Sequence, residues 1–156
     1  MHRSRNRIVA TALAAAGLAV LAGRAENPVT RQTLTLVALL DEVQAKHRID
    51  PDRVYCTGLS MGGFGTWRLA TENPDRFAAI VPICGGGRGF TVGAMKNVPA
   101  WVFHGAKDGA VPLAESEKMV DALKKAGGNV QLTVYPEAQH DSWTATYANP
   151  AVYEWM

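Results

Sequence analysis

The chain has only two cysteines, Cys56 and Cys84, and both lie inside apolar runs. That is too little thiol for a disulfide scaffold, and neither sits at a metal-ligand spacing, so each reads as a small buried hydrophobe. The two signs of charge nearly balance, with sixteen basic and fourteen acidic residues. The formal net charge is +2, and four of the sixteen basic residues fall between Arg3 and Arg24, ahead of any globular pattern. A nucleic-acid partner is therefore not expected. Long apolar runs are limited to Ile8–Ala22, which is alanine-rich and shorter than the about 20 strongly apolar residues of a membrane span. Internal repeats and low-complexity linkers are absent.

What remains is the composition of one soluble globular domain, 47% hydrophobic and 19% charged. His2, Arg3, Arg5 and Arg7 precede the apolar run, and Gly23 and Ala25 follow it as small residues. That layout predicts a signal peptide over residues 1–25 and a secreted or periplasmic protein. Residues 26–156 are then expected to form the folded domain.

Leu34, Val37, Leu40 and Val43 recur at helical spacing until Asp50-Pro51-Asp52 interrupts. A short strand is predicted over Arg53–Thr57, running into Gly58-Leu59-Ser60-Met61-Gly62-Gly63, and a helix from Met61 to about Thr71. Further strands are predicted over Phe77–Cys84, Pro99–His104 and Val130–Tyr135, with a helix over about Ala114–Ala126 stopped by Gly127-Gly128. Gly85-Gly86-Gly87 reads as a flexible loop rather than an oxyanion or phosphate cradle, because no strand-to-helix context surrounds it. Strands alternating with helices imply an α/β fold with a parallel sheet covered on both faces.

Functional groups of a parallel sheet gather beyond the carboxyl ends of its strands, where Ser60, Asp108 and His140 each follow a different predicted strand. A serine hydroxyl needs a histidine to take its proton and a carboxylate to orient that histidine. In the Gly-x-Ser-x-Gly turn, Gly58 and Gly62 are expected to leave room for a tight strand-to-helix bend that projects the Ser60 oxygen at a helix amino terminus. Asp141 competes with Asp108 as the carboxylate, but neighbours in an extended loop usually point apart. His104 precedes the acid in the chain and is expected to pack and hydrogen-bond within the acid loop. Trp143, near His140, is the candidate pocket aromatic, set against a plain core role.

Four phrases carry a family resemblance. They are Arg48–Tyr55 leading into the elbow, Asn73–Ala79, the acid loop His104–Asp108, and Tyr135–Trp143. From about Leu36 to Trp155 the sequence resembles the carboxyl-terminal half of the α/β-hydrolase superfamily, and is most similar to secreted esterases and predicted peptidases akin to polyhydroxybutyrate depolymerases and feruloyl esterases. The resemblance implies Ser60 as nucleophile, His140 as general base and then acid, and Asp108 as the residue orienting His140. It also implies the Met61 amide as one oxyanion donor, an ester rather than a peptide substrate, and neither metal nor organic cofactor.

The family pattern also includes earlier strands and a His-Gly type loop, for which this chain has no matching residues. An α/β-hydrolase fold without its N-terminal strands is thus expected, with two consequences. Loss of the second oxyanion donor would cost about 10²–10³ in rate. The edge of Arg53–Thr57 would lie open to pairing with a second copy. Two readings follow: a serine esterase, or a hydrolase half that is inactive or acts only as an interaction module.

Overall fold

The computed structural model describes residues 28–156, with side chains from residue 31 onward. The expected signal peptide lies outside them. The chain divides into two compact units, Met1–His47 and Arg48–Met156.

In the first unit the described residues form one helix, α1 (Pro28–Lys46). The four apolar positions that predicted it, Leu34, Val37, Leu40 and Val43, are half-buried, whereas Leu36 and Leu39 are exposed. No helix among the described residues is long and apolar enough to cross a membrane.

The second unit is built on four strands, β1 (Tyr55–Leu59), β2 (Ala79–Ile83), β3 (Ala100–Gly105) and β4 (Val130–Tyr135). All pair in parallel, in the order β1-β2-β3-β4. Parallel neighbours need crossovers. Helix α2 (Met61–Glu72) links β1 to β2, a loop with a 3₁₀ turn at Val92–Met95 links β2 to β3, and α3 (Ala114–Lys125) links β3 to β4. Helix α3 carries Glu115 and Glu117 in its first turn and Lys124 and Lys125 in its last, matching the helix dipole. Gly127, at φ 83°, ends it, and the Gly127 and Gly128 amides donate to Lys124 and Leu123 at 2.9 Å.

Each sheet face covers its own apolar cluster. On one, Ile80, Ala100, Val102 and Val130 meet Trp67 and Ala70 of α2 and Met119, Val120 and Leu123 of α3. On the other, Val81, Ile83 and Phe103 meet the short C-terminal helices α4 (Trp143–Tyr147) and α5 (Pro150–Trp155) through Trp143, Tyr147, Val152 and Trp155. Double burial is why every β2 residue is apolar and buried.

Two strands and one loop depart from expectation by more than a residue. β1 begins at Tyr55 rather than Arg53, because Asp50 accepts the Asp52 amide and closes a 3₁₀ turn over Pro51–Arg53. β2 stops at Ile83 because Cys84 turns to φ 39°, a conformation that no strand continues through. Nor is the triple glycine a loose loop: Gly85 and Gly86 are buried, and a Cβ on Gly85 would come within 2.6 Å of the Gly63 carbonyl carbon in α2.

Candidate functional site

The carboxyl ends of the four strands bring four side chains together. Ser60 immediately follows β1, Cys84 follows β2, Asp108 lies three residues past β3 and His140 five past β4. Ser60 is the N-cap of α2, a position where a serine oxygen normally turns back to accept a helix amide. Here φ 52° and ψ −117° rotate it away, and no capping bond forms. Such a backbone costs about 1–3 kcal/mol, so the surroundings must hold it. The Ser60 amide donates to the Ile83 carbonyl at 3.0 Å and to Cys84 Sγ at 3.3 Å, which ties the bend to β2.

Close backbone approach makes the bend possible. A Cβ at Gly58 would lie 2.5 Å from the Gly62 carbonyl oxygen, and one at Gly63 would lie 2.4 Å from that of Ile83. The expectation for Gly62 is corrected, since a Cβ there would meet nothing within 4 Å. Its backbone is what Gly58 must accommodate, and the helix-to-sheet contact falls on Gly63.

Ser60 Oγ lies 2.9 Å from His140 Nε2, and His140 Nδ1 lies 2.8 Å from Asp108 Oδ2. Asp108 Oδ1 accepts the amides of Ala110 and Val111 at 2.8 and 2.9 Å. Burial alone would push the Asp108 carboxyl up. The hydrogen bonds from His140, Val111 and Ala110, together with the His140 charge, outweigh it and hold the carboxyl below its ordinary value. Asp108 is therefore an anion at neutral pH.

Asp141 points elsewhere, accepting the Thr144 amide and hydroxyl at 3.0 and 2.9 Å at the start of α4. His104 packs beneath the acid loop with no exposure, its Nδ1 2.7 Å from Ser116 Oγ. Trp143 stands edge-on to His140 at 5.4 Å between ring centres, and also packs on the Val81–Phe103 cluster. Met61 is 83% exposed, and as the first residue of α2 its amide has no acceptor within the helix.

Cys84 was not legible as a site residue. Its thiol, the Asp108 carboxylate and a His140 ring nitrogen lie within 4.8 Å of one another, a mixed sulfur, nitrogen and oxygen donor set of the kind that suits a borderline ion such as zinc. The carboxylate and His140 Nδ1 already bond to each other, so an ion there would have to break that link. Burial pushes the Cys84 thiol up, the Ser60 amide and Ser142 hydroxyl oppose this, and the charges of Asp108 and Asp141 add to the rise. A fully buried thiol kept protonated is a poor nucleophile. The signal available in the sequence was only that Cys84 ends a predicted strand.

Gly105 sets the spacing between the acid and base loops. A Cβ there would fall 2.1 Å from the Gln139 carbonyl oxygen and 2.5 Å from that of Ala138, both rigid backbone. Gly105→Ala is expected to destabilise the protein by about 1–3 kcal/mol through overpacking. Urea unfolding measures this; an unchanged midpoint would show that the His140 loop yields freely.

Residues 9–153 match the sequence profile of the dienelactone hydrolase family. The chain belongs to that family. This dienelactone hydrolase family member thus falls in the α/β-hydrolase superfamily, as its motif phrases imply. Over 55 residues it is 47% identical to poly(3-hydroxyalkanoate) depolymerase C of Paucimonas lemoignei, a match covering 35% of this chain and 13% of that one. Over 80 residues it is 32% identical to a bifunctional acetylxylan esterase/xylanase of Neocallimastix patriciarum, covering 51% of this chain and 12% of the other. Among solved structures, a thermostable esterase superposes with a TM-score of 0.75 at 40% identity, covering 78% of this chain and 35% of that chain. The family member therefore spans between about an eighth and a third of the length of these relatives.

Proposed function

We propose that this chain is a serine hydrolase that cleaves carboxylic esters through an acyl-enzyme. The observation that carries the reading is the continuous Ser60–His140–Asp108 hydrogen-bond line, at 2.9 and 2.8 Å, on a serine whose backbone turns its oxygen out of the capping position. His140 Nδ1 donates to the carboxylate, so Nε2 is left as the acceptor for the Ser60 hydroxyl proton. Oγ attacks the ester carbonyl carbon as that proton moves to His140, and Asp108 stabilises the imidazolium. The tetrahedral oxyanion faces the Met61 amide. His140 then protonates the leaving alcohol, and water repeats the sequence on the acyl-enzyme to release the acid and regenerate Ser60. Trp143, edge-on to His140, is the pocket wall in this reading.

Ester rather than peptide is favoured because the relatives' names are those of depolymerases and esterases. Export belongs to the same proposal and requires a mature chain that begins near Ala25. The competing reading, an interaction module without turnover, draws on β1, which among the described residues pairs only with β2.

Rapid mixing with p-nitrophenyl acetate separates the two. The hydrolase reading expects a burst of p-nitrophenol close to one equivalent per chain, then slower turnover. A folded protein that gives neither burst nor labelling by a fluorophosphonate would leave only the interaction module, and a dimer on a sizing column would then locate its partner as a second copy.

A further inference from the structure

Asp108 Oδ2 faces two histidines. His140 Nδ1 approaches at 2.8 Å, and His104 Nε2 approaches at 3.3 Å from the buried side. His104 lies in β3, four residues before the acid, and is fully buried. Its Nε2 also stands 2.9 Å from the Val111 carbonyl oxygen. Both neighbours of Nε2 are acceptors, so that nitrogen carries a hydrogen, which bonds to Val111 and leaves Oδ2 at ion-pair distance. Val111 is the residue whose amide binds Asp108 Oδ1, so His104 grips the acid turn at its far end as well. On the other side of the ring, Nδ1 lies 2.7 Å from Ser116 Oγ, whose single hydrogen serves either Nδ1 or the Gly85 carbonyl at 2.9 Å, not both. Gly85 packs on Gly63 of α2, one turn from Ser60.

We infer that His104 is a positioning residue that orients the Asp108 carboxylate toward His140 by holding, through Val111, the turn that carries it. The inference rests on the triad reading above. Its mechanism is electrostatic. Oδ2 accepts its hydrogen bond from His140, and the His104 N–H dipole, 3.3 Å away and held by Val111, offsets part of the carboxylate's charge; without His104, His140 meets the full field of the carboxylate. Other ionisable groups around the relay are Cys84, Asp141, whose carboxylate is held by Thr144, and the exposed Lys107–Glu137 pair on the acid and base loops.

The test compares His104→Leu and His104→Gln with the parent, following kcat, KM and the pH dependence of kcat/KM for p-nitrophenyl acetate. His104→Leu is expected to lower kcat by about tenfold or more, with KM little changed, since misplacing a catalytic group costs rate rather than binding. Its acidic limb should also move up by about half a pH unit, because a carboxylate no longer offset by the His104 dipole favours the protonated base. His104→Gln restores an N–H and should recover most of both. A purely structural residue would lower the amount of folded protein and leave the limb in place, so an unmoved limb, or a Gln variant no better than Leu, would overturn the inference.

Should His104→Leu not fold, the parent decides. Nitrogen NMR of labelled histidine should show His104 protonated at Nε2 and slow to exchange, and an unprotonated Nε2 would sink the proposal. Failure of the triad reading looks different, because the parent itself would then show no burst. An active parent with unresponsive His104 variants removes only this inference.

Discussion

Ser60→Ala is expected to lower kcat for p-nitrophenyl acetate by about 10⁶-fold while leaving the unfolding midpoint close to that of the parent. The two halves of this expectation have separate causes. Ser60 Oγ makes its hydrogen bond to His140 and caps no helix amide, so its removal takes away one part-buried bond and creates no buried orphan. The strained backbone is imposed by the Ser60 amide bonds to β2 and by the close approach of Gly58 and Gly63, all of which alanine retains. Chemistry loses far more, because no other side chain takes over. Cys84 Sγ is nearby but fully buried, and burial keeps its thiol protonated. What persists is the polarising effect of the Met61 amide on a bound ester, with water as nucleophile. Steady-state rates and thermal unfolding on the same preparation check both halves. A Ser60→Ala protein within tenfold of parental activity would dismiss Ser60 as nucleophile and turn attention to Cys84.

The parts of this architecture that sequence alone discloses are those set by local chemistry. β4 was readable to the residue, since Gly127-Gly128 ends the preceding helix and Pro136 follows the strand. Helices α2 and α3 fell within a residue of expectation for the same reason: Asn73-Pro74 and Gly127 stop them. β1 was displaced by two residues because a side-chain bond from Asp50 diverts Pro51–Arg53 into a turn. The line from Ser60 through His140 to Asp108 was anticipated because each residue follows a strand end in a fixed chain order, and a parallel sheet aligns its strand ends. Cys84 and Ser116 carry no such signal, because their contacts depend on how closely the ends of β2 and β3 approach the starts of α2 and α3. Residue spacing does not encode that distance. Gly62 shows the opposite error: the motif assigns it a steric role, but the atoms that forbid a side chain surround Gly58 and Gly63.

Asp108→Asn should reduce kcat by about 10⁴-fold with little change in KM. Asparagine has nearly the volume of aspartate and can still accept the Ala110 and Val111 amides, so the acid turn should keep its shape. It cannot stabilise an imidazolium. If its amide nitrogen faces His140, it also donates to Nδ1, leaving the hydrogen on Nε2, the wrong nitrogen to accept from Ser60. The pH dependence of stability should change as well. In the parent the Asp108 carboxyl is held below its ordinary value of 3.8, so the folded state binds that proton less readily than the unfolded chain does. The resulting stability is complete above the unfolded value and is lost as pH falls from about 3.8 through the lower folded value. Asp108→Asn carries no such group, so urea midpoints measured across that window should fall less steeply than in the parent. Asp141→Asn is the matched control, since its carboxylate holds Thr144 rather than His140. If Asp141→Asn lost the 10⁴ and Asp108→Asn did not, the orienting carboxylate would have to be reassigned, and with it the path that connects β3 to the nucleophile.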